Sequence, residues 1–505
     1  MKKININKVI LISLPTEGQS GDYYSPEYAV DDFAVYPPLG LLYVGTSIEE
    51  HYNTELLDPV AKKLNIDDTV SFLKEKKPTV LGISCQSYRI YPCAEIIKRI
   101  KLELPELIVF VGGPHTTAYP YETFNLPGVD YVVVGDGDFS VKMLLDALTN
   151  GDEDELSKVP GLIYDSNGKI KCNEQSNEKD LDKIPFPNRD LLDYRDYYTA
   201  ADGASEVITM ISSRGCPFKC VYCDVLEKKF RFRSPKNVVD EMEIIANKYK
   251  DPVIHIFDDT FNLSRRRVIN ICNEIIERGV KIKWTTRARV HPFDEEMAYL
   301  MAKSGLKRAH FGVESGSEKS LKMIKKGINI KQITDAFNIC KKYKIESLAY
   351  FIIGFDWETE KEIQETVNFT RKINPDFVMA FMLHPLAKTT VYQEIIDKGI
   401  YSGDLWQEQA KNPVPEFRLP PHRSAKIRKY LRRKVDEIYI GFYLKPSFII
   451  SQLADKKSRK QGGLKISELL FKVKLSFLMI KSWCKNYIIE IIDKDKLDWS
   501  DSPSD

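Results

Sequence analysis

The stretch SSRGCPFKCVYCD, Ser212 to Asp224, sets Cys216, Cys220 and Cys223 in a CxxxCxxC spacing directly after a β-branched run that begins at Val207. A strand over 207 to 212 therefore delivers the triplet onto a loop. Thiolates are soft ligands suited to iron-sulfur clusters or to zinc. A closed structural zinc site wants four ligands, and no fourth Cys or His stands nearby. Three sulfurs on a four-iron cluster instead leave one iron open to a further ligand. The competing assignment is zinc completed from afar by Cys172 or Cys272.

Outward from this loop, strands expected near 207–212, 253–258, 281–286, 307–313, 347–353 and 376–382 alternate with helical segments. Six strand-helix units predict a partial (β/α)6 barrel over residues 205–390, with chemistry at the C-terminal strand ends. Upstream, short strands are expected at 9–14, 54–57, 80–84, 108–111 and 131–134, which makes residues 1–150 a Rossmann-like α/β domain. Residues 151–204 are acidic and polar, with a hairpin turn at Asn167-Gly168 and the proline-punctuated run IPFPNRDLL, and read as a linker. After Pro385 the alternation stops. Residues 391–492 read as a mostly helical C-terminal extension, and 493–505 as a polar tail.

Lysine and arginine number 74 against 72 aspartates and glutamates, a formal charge of +2. Such balance creates no general field for polyanions, so nucleic-acid binding is not expected. Nine cysteines, odd in number and far from the density of a secreted scaffold, suit metal and a reducing cytoplasm. Cys85, Cys93, Cys272 and Cys340 fall within strand or helix patterns and read as small buried hydrophobes. The apolar run in MKKININKVILISLP is too short for a signal peptide and reads as the first strand. No run reaches the ~18 apolar residues of a spanning helix. The lysine- and aromatic-rich segments 427–453 and 465–492 either cover the open side of the partial barrel or touch a membrane surface as amphipathic helices.

With Tyr222 ahead of its last cysteine, the triplet resembles the signature of radical S-adenosylmethionine (SAM) enzymes, and the resemblance extends along 205–390. It implies a 4Fe-4S cluster whose open iron chelates the amino and carboxylate groups of SAM. Reductive cleavage of SAM to a hydrogen-abstracting 5'-deoxyadenosyl radical follows, as does an electron donor such as flavodoxin or ferredoxin. The resemblance assigns Phe257, Asp258 and Asp259, in HIFDDTF, as acceptors for the SAM amino group, although the family's glycine pair is missing there. Arg287, in WTTRARV, becomes the partner of the SAM carboxylate, or else part of a surface ion pair. Glu314, in HFGVESGS, would bind the ribose hydroxyls, since a buried carboxylate needs such partners. Gly354, in FIIGFDWET, would let the backbone approach adenine, or is a plain turn glycine.

The first half resembles the cobalamin (B12)-binding domain fused to a large branch of these enzymes, through YPPLGLLYVGTSIEE from Tyr36, GISCQSY, VGGPHTTAYP and VVVGDGD. Ser84 can donate a hydrogen bond, while Gly112, Gly113 and Gly135 leave a slot for a flat nucleotide tail. The cobalamin signature DxHxxG is absent, which implies binding without a histidine as lower ligand. Asp136 and Asp138 either face the corrin or cap the following helix.

Taken together, the resemblance implies methylation of an unactivated centre on a small-molecule, lipid or natural-product substrate, by way of methylcobalamin. Cyclisation, oxidation or rearrangement without methyl transfer is the alternative, and a non-catalytic iron-sulfur protein a third. His384, in MLHPLAKTT, stands at the sixth strand end as a substrate contact or a structural histidine. No catalytic residue is assigned.

Overall fold

The computed structural model describes residues 3–20, 34–199, 206–443 and 499. Its first sheet holds β1 (Val9–Ile12), β2 (Thr54–Leu57), β3 (Val80–Ser84), β4 (Ile108–Gly112), β5 (Tyr131–Val133), β6 (Leu162–Ser166) and β7 (Lys169–Cys172). The order is β2-β1-β3-β4-β5-β6-β7. The first five are parallel, which explains apolar runs such as VILI in β1 and VLGI in β3. All four residues of β1 are buried, because helices cover both faces of a parallel sheet. The order reverses between β1 and β3, and in such sheets the crevice outside the carboxyl strand ends at the reversal is where ligands sit.

The segment expected as a linker is partly structural. Asn167 and Gly168 adopt φ of 55° and 78° and close the β6-β7 hairpin, which extends the sheet in antiparallel fashion past β5. The buried Leu162, Ile163 and Tyr164 hold it there. Further on, Arg189 of IPFPNRDLL docks on the barrel, donating to Glu241 at 2.6 Å and to the Thr209 carbonyl at 3.0 Å. Arg233 holds the other Glu241 oxygen. Burial of Glu241 opposes ionisation, but the two guanidinium groups outweigh it and hold the carboxyl below its ordinary value.

The second sheet contains β8 (Val207–Met210), β9 (Val253–Ile256), β10 (Lys283–Ala288), β11 (Leu306–Glu314), β12 (Glu346–Ile353) and β13 (Phe377–Met382), parallel and in sequence order. It does not close, so β8 and β13 are edges. Helix Ala425–Tyr443 covers the β13 edge through two tyrosines one helical turn apart. Tyr439 Oη accepts from the Ala380 N–H and donates to the Ala380 carbonyl, both at 3.2 Å. Tyr443 Oη does the same at Val378, at 3.2 and 2.8 Å. The part of the C-terminal extension read as covering the barrel does so along 425–443; the segments 444–498 and 500–505 lie outside the described residues. Among the described residues no helix is long and apolar enough to cross a membrane.

Candidate active site at the domain seam

The cysteine loop leaves β8 and is pinned at its base. Ser213–Arg214 pairs antiparallel with Arg231–Phe232, and the Cys216 N–H donates to the Glu227 carbonyl at 3.0 Å. Gly215 between them has φ of 81°, and a Cβ there would lie 2.4 Å from the Lys229 carbonyl oxygen, so only glycine fits. Asp258 is wholly buried and accepts from the N–H and the hydroxyl of both Ser212 and Ser213, at 2.5 to 3.0 Å. This corrects the reading of Asp258 as an open acceptor. Its oxygens are saturated by the start of the cysteine loop, which they orient. Asp259, its neighbour, accepts from the Gly215 N–H at 3.1 Å and faces the seam.

The three thiols are partly buried, and Cys216 Sγ lies 3.4 Å from Thr260 Oγ1. Burial pushes the Cys223 thiol up to about 11, so a bound cation is needed to hold it as thiolate at neutral pH. Among the described residues no three Cys, His, Asp or Glu side chains gather about one point, Cys172 and Cys272 included. As a donor set, three soft thiolates on one loop suit a cubane, which takes each thiolate on a separate iron.

The remaining strand ends line up beside this loop. Phe257 follows β9, its N–H donating to Met210, and its ring meets Tyr36 at 4.8 Å and the Arg287 guanidinium at 4.5 Å. Arg287 is exposed, and no carboxylate pairs with it among the described residues. The surface ion pair considered for it does not form there. Glu314 ends β11 in the left-handed region, φ 67°, beside a register shift at Gly312. Strain of this kind persists only where surrounding contacts impose it. Here the Glu314 carboxylate is buried and accepts from Lys326 Nζ at 2.7 Å, while Lys326 also donates to Tyr222 Oη at 3.2 Å. Burial and the adjacent Glu314 charge push the Tyr222 phenol well above its ordinary value. Gly354 has φ of 100°, donates to Glu358 at 2.7 Å, and leaves room for Leu431, which a Cβ would approach to 2.9 Å. Turn geometry and packing account for this glycine. His384 meets Trp406 edge-on at 6.2 Å.

Across the seam, a cavity of about 430 Å³ opens at the carboxyl ends of the first sheet. Ser84, Gly112, Gly113 and Gly135 line one side; Gly215, Phe257 and Asp259 line the other. Leu11, Phe110 and Val133 form an apolar floor. A Cβ on Gly40 would meet nothing within 4 Å, and one on Gly112 only the Val133 carbonyl at 3.7 Å, so both glycines front open space. That glycine-bordered slot fits a flat nucleotide tail. His115 does not line it; the ring is buried against Ser87 Oγ at 3.0 Å, and burial lowers its pKa to about 3. A second, more polar cavity of about 770 Å³ adjoins it through Gly113, Gly135, Asp136, Arg231 and Asp259.

Asp136 and Asp138 neither cap the helix that follows nor lie free. Asp138 receives Arg214 Nη1 at 2.5 Å and Nη2 at 3.0 Å, and Asp136 pairs with Arg214 at 2.9 Å and Arg231 at 2.8 Å. Arg214 also lies over the Tyr43 ring, 5.2 Å from its centre. Both arginines escaped the sequence reading. The available signal was charge bookkeeping: carboxylates placed in a glycine-rich strand end require buried counter-charges, and Arg214 and Arg231 bracket the cysteine loop.

Comparison with known proteins agrees with this architecture. Residues 33–144 match the B12 binding domain and residues 210–370 the Radical SAM superfamily. An uncharacterized methyltransferase of Pyrococcus horikoshii is 34% identical over 423 residues, covering 83% of this chain and 90% of the relative. The anaerobic magnesium-protoporphyrin IX monomethyl ester cyclase of Rubrivivax gelatinosus is 26% identical, covering 84% of this chain and 77% of the relative. The radical SAM methyltransferase TsrM of Kitasatospora setae, solved with cobalamin and a 4Fe-4S cluster, superposes with a TM-score of 0.63 at 19% identity, over 78% of each chain. The cobalamin-dependent radical SAM enzyme OxsB, solved with aqua-cobalamin, gives 0.62 at 19% identity over 97% of this chain and 74% of that one. A glycine-bordered slot at one sheet's edge, a three-thiol loop at the other's, and these matches lead to one conclusion: the chain is an enzyme that belongs to the radical SAM superfamily, in the branch carrying a B12 binding domain ahead of the radical SAM domain.

Proposed function

We propose that this enzyme methylates an unactivated centre of a small-molecule substrate, drawing on a 4Fe-4S cluster, SAM and cobalamin held at the seam. The observation that carries the reading is a shared wall: Gly215, immediately before Cys216, and Asp259, which fixes it, line the same cavity as Gly112, Gly113 and Gly135. Bound there, the cluster and SAM supply hydrogen abstraction, and cobalamin supplies the methyl group.

The chain's own residues divide the work. Cys216, Cys220 and Cys223 each hold one iron, and Asp258 sets the loop through Ser212 and Ser213. Arg287, an exposed cation, binds the SAM carboxylate; Asp259 and the backbone at Phe257 accept from its amino group. Glu314, held by Lys326 beside Tyr222, receives the ribose hydroxyls, and the turn at Gly354 borders the adenine. Ser84, Gly112, Gly113 and Gly135 seat the cobalamin nucleotide, and the Asp136, Asp138, Arg214 and Arg231 group keeps the two sites in register. Closing the seam excludes water from the reacting centre. The electron donor and any contact with a lipid surface belong to the same proposal, and the lipid or natural-product character of the substrate with them.

The cyclase relatives favour a second reading, in which the same cofactors drive ring closure or oxidation without methyl transfer. Anaerobic reconstitution followed by absorption spectroscopy reads cluster and corrin together, and methyl-labelled SAM separates the two readings. Label in the product supports methylation; unlabelled product with cleaved SAM moves the assignment to the second. Retention of iron and of SAM cleavage after Cys216, Cys220 and Cys223 are replaced by alanine would falsify both.

A further inference from the structure

Residues 173–180 form no helix or strand, yet they run as a strap from the first sheet to the return leg of the cysteine loop. Asn173 anchors one end, its N–H donating to the Leu162 carbonyl at 2.9 Å and its side-chain amide to the Leu156 and Val159 carbonyls at 2.7 and 2.8 Å. Towards the other end, the Glu178 carbonyl accepts from Arg231 at 2.7 Å. Between these anchors the half-buried Asn177 uses both atoms of its amide. Its Oδ1 accepts from the Asp136 N–H at 3.2 Å, on the rim of the glycine-bordered slot. Its Nδ2 donates to Glu227 Oε2 at 2.9 Å, on the cysteine loop. Chemistry fixes this orientation, since the N–H must meet an oxygen and the carboxylate must meet the NH2 group. The same Glu227 accepts from the Cys216 N–H on its carbonyl at 3.0 Å, and from the Lys229 N–H on Oε1 at 2.7 Å. Gly135 allows the approach, because a Cβ there would lie 2.9 Å from Asn177 Oδ1. One side chain thus bridges the slot rim and the residue that holds the first cysteine.

We infer that Asn177 is a positioning residue, which sets the distance between the cysteine loop and the slot so that SAM on the one faces cobalamin in the other. The inference rests on the proposed function, in which the methyl group of SAM passes to cobalamin. Such a displacement needs its two partners in line and at one separation, and an error of about 1 Å costs on the order of 100-fold. Reductive cleavage of SAM makes no demand across the seam, because Asp258, through Ser212 and Ser213, fixes the loop to its own sheet. Loss of the Asn177 bridge therefore separates two reactions that share one SAM site. Asparagine suits the place because it is neutral and carries a donor beside an acceptor; an aspartate would set two carboxylates against each other.

The test uses the full chain reconstituted with iron and sulfide and loaded with hydroxocobalamin, the variant Asn177→Asp, and the double variant Asn177→Asp/Glu227→Gln. The double variant exchanges acid and amide, so the introduced carboxylate accepts both from the Asp136 N–H and from the introduced amide. With titanium(III) citrate as reductant and methyl-labelled SAM, one mixture reports methylcobalamin and 5'-deoxyadenosine together. In forming the first, the cobalt(I) electron pair takes the methyl carbon, the carbon–sulfur bond breaks onto sulfur, and S-adenosylhomocysteine leaves. The expected result is a ratio of methylcobalamin to 5'-deoxyadenosine that falls about tenfold or more in Asn177→Asp, at equal iron and corrin content, and returns to within about twofold in the double variant. In the chain without cofactors, hydrogen exchange over 213–227 loses protection in the single variant and regains it in the double. An unchanged ratio overturns the inference and leaves the proposed function standing. An equal fall in both products, a loss of corrin uptake, or no return in the double variant overturns it by giving Asn177 another role. No methylcobalamin from the unmodified chain overturns the methylation reading, and the inference falls with it.

Discussion

Arg214 donates from both Nη atoms to the Asp138 carboxylate, at 2.5 and 3.0 Å, joining the first domain to the second two residues before Cys216. The pair is 16% and 5% exposed, so breaking it strands a charge in a poorly solvated place.

Replacing Asp138 with Asn is expected to cost about 3 kcal/mol of stability, because Asp136 still compensates part of the arginine charge. Urea unfolding measures the loss, and a double-mutant cycle with Arg214→Met isolates the pair. Cobalamin affinity falls along with it, since Asp138 and Arg214 line the slot. A coupling energy near zero means that the Asp138–Arg214 pair does not hold the two domains together.

Gly40→Leu probes the slot without disturbing the fold. The glycine lies in helix Leu39–Ile48, where leucine is favoured by up to about 1 kcal/mol, and its side chain enters open space at the cavity. Thermal stability should hold or rise and iron content stay constant, while cobalamin uptake drops at least about tenfold. Full corrin uptake would place the nucleotide elsewhere.

Arg287→Met is expected to weaken SAM binding by about 10–100-fold, the worth of a charge-assisted hydrogen bond, with no change in iron content. Equilibrium binding to the reconstituted protein reads it directly. Unaltered affinity assigns the SAM carboxylate to another group.

Glu358 gives the fold a pH signature. Burial lifts its carboxyl from 4.5 to about 7, against hydrogen bonds from the Gly354 N–H, the Ser320 hydroxyl and the Phe355 N–H. The folded chain therefore keeps a proton that the unfolded chain releases from about pH 4.5 upward. Its contribution is full below that pH, declines across the interval, and is lost above about 7. The displacement is on the order of 3 kcal/mol. Glu358→Gln, whose amide oxygen can accept from both N–H groups, should shrink the stability difference between pH 5 and pH 8 by about that amount in urea unfolding. An unchanged difference means that Glu358 is ionised in the folded state.

The parts of the fold with a local period were legible in the sequence. Strands such as VILI at Val9–Ile12 and VITM at Val207–Met210 announce themselves as apolar or β-branched runs, because both faces are buried, whereas TELL at Thr54–Leu57 and KWTTRA at Lys283–Ala288 are mixed and show only as members of the strand-helix alternation. The cysteine triplet was equally plain, its spacing being set by one loop. Relationships between distant segments were not. Asp258 looked available because the Ser212 and Ser213 groups that saturate it lie more than forty residues earlier, on another strand. Residues 162–166 were hidden in a polar stretch, although LIYDS has the composition of a strand edge. The partner of Asp138 could be guessed only from the cost of burying charge, and Lys326, which holds Glu314, carried no motif at all.

The two tyrosine hydroxyls on the last strand of the second sheet have a consequence for assembly. An open parallel sheet ordinarily offers its free rim to any extended segment, including the same rim of another molecule. Here Val378 and Ala380 have already given their outward N–H and C=O groups to Tyr443 and Tyr439. A seventh strand would find the groups of Val378 and Ala380 already taken along this rim, so the incomplete cylinder stays incomplete on this side.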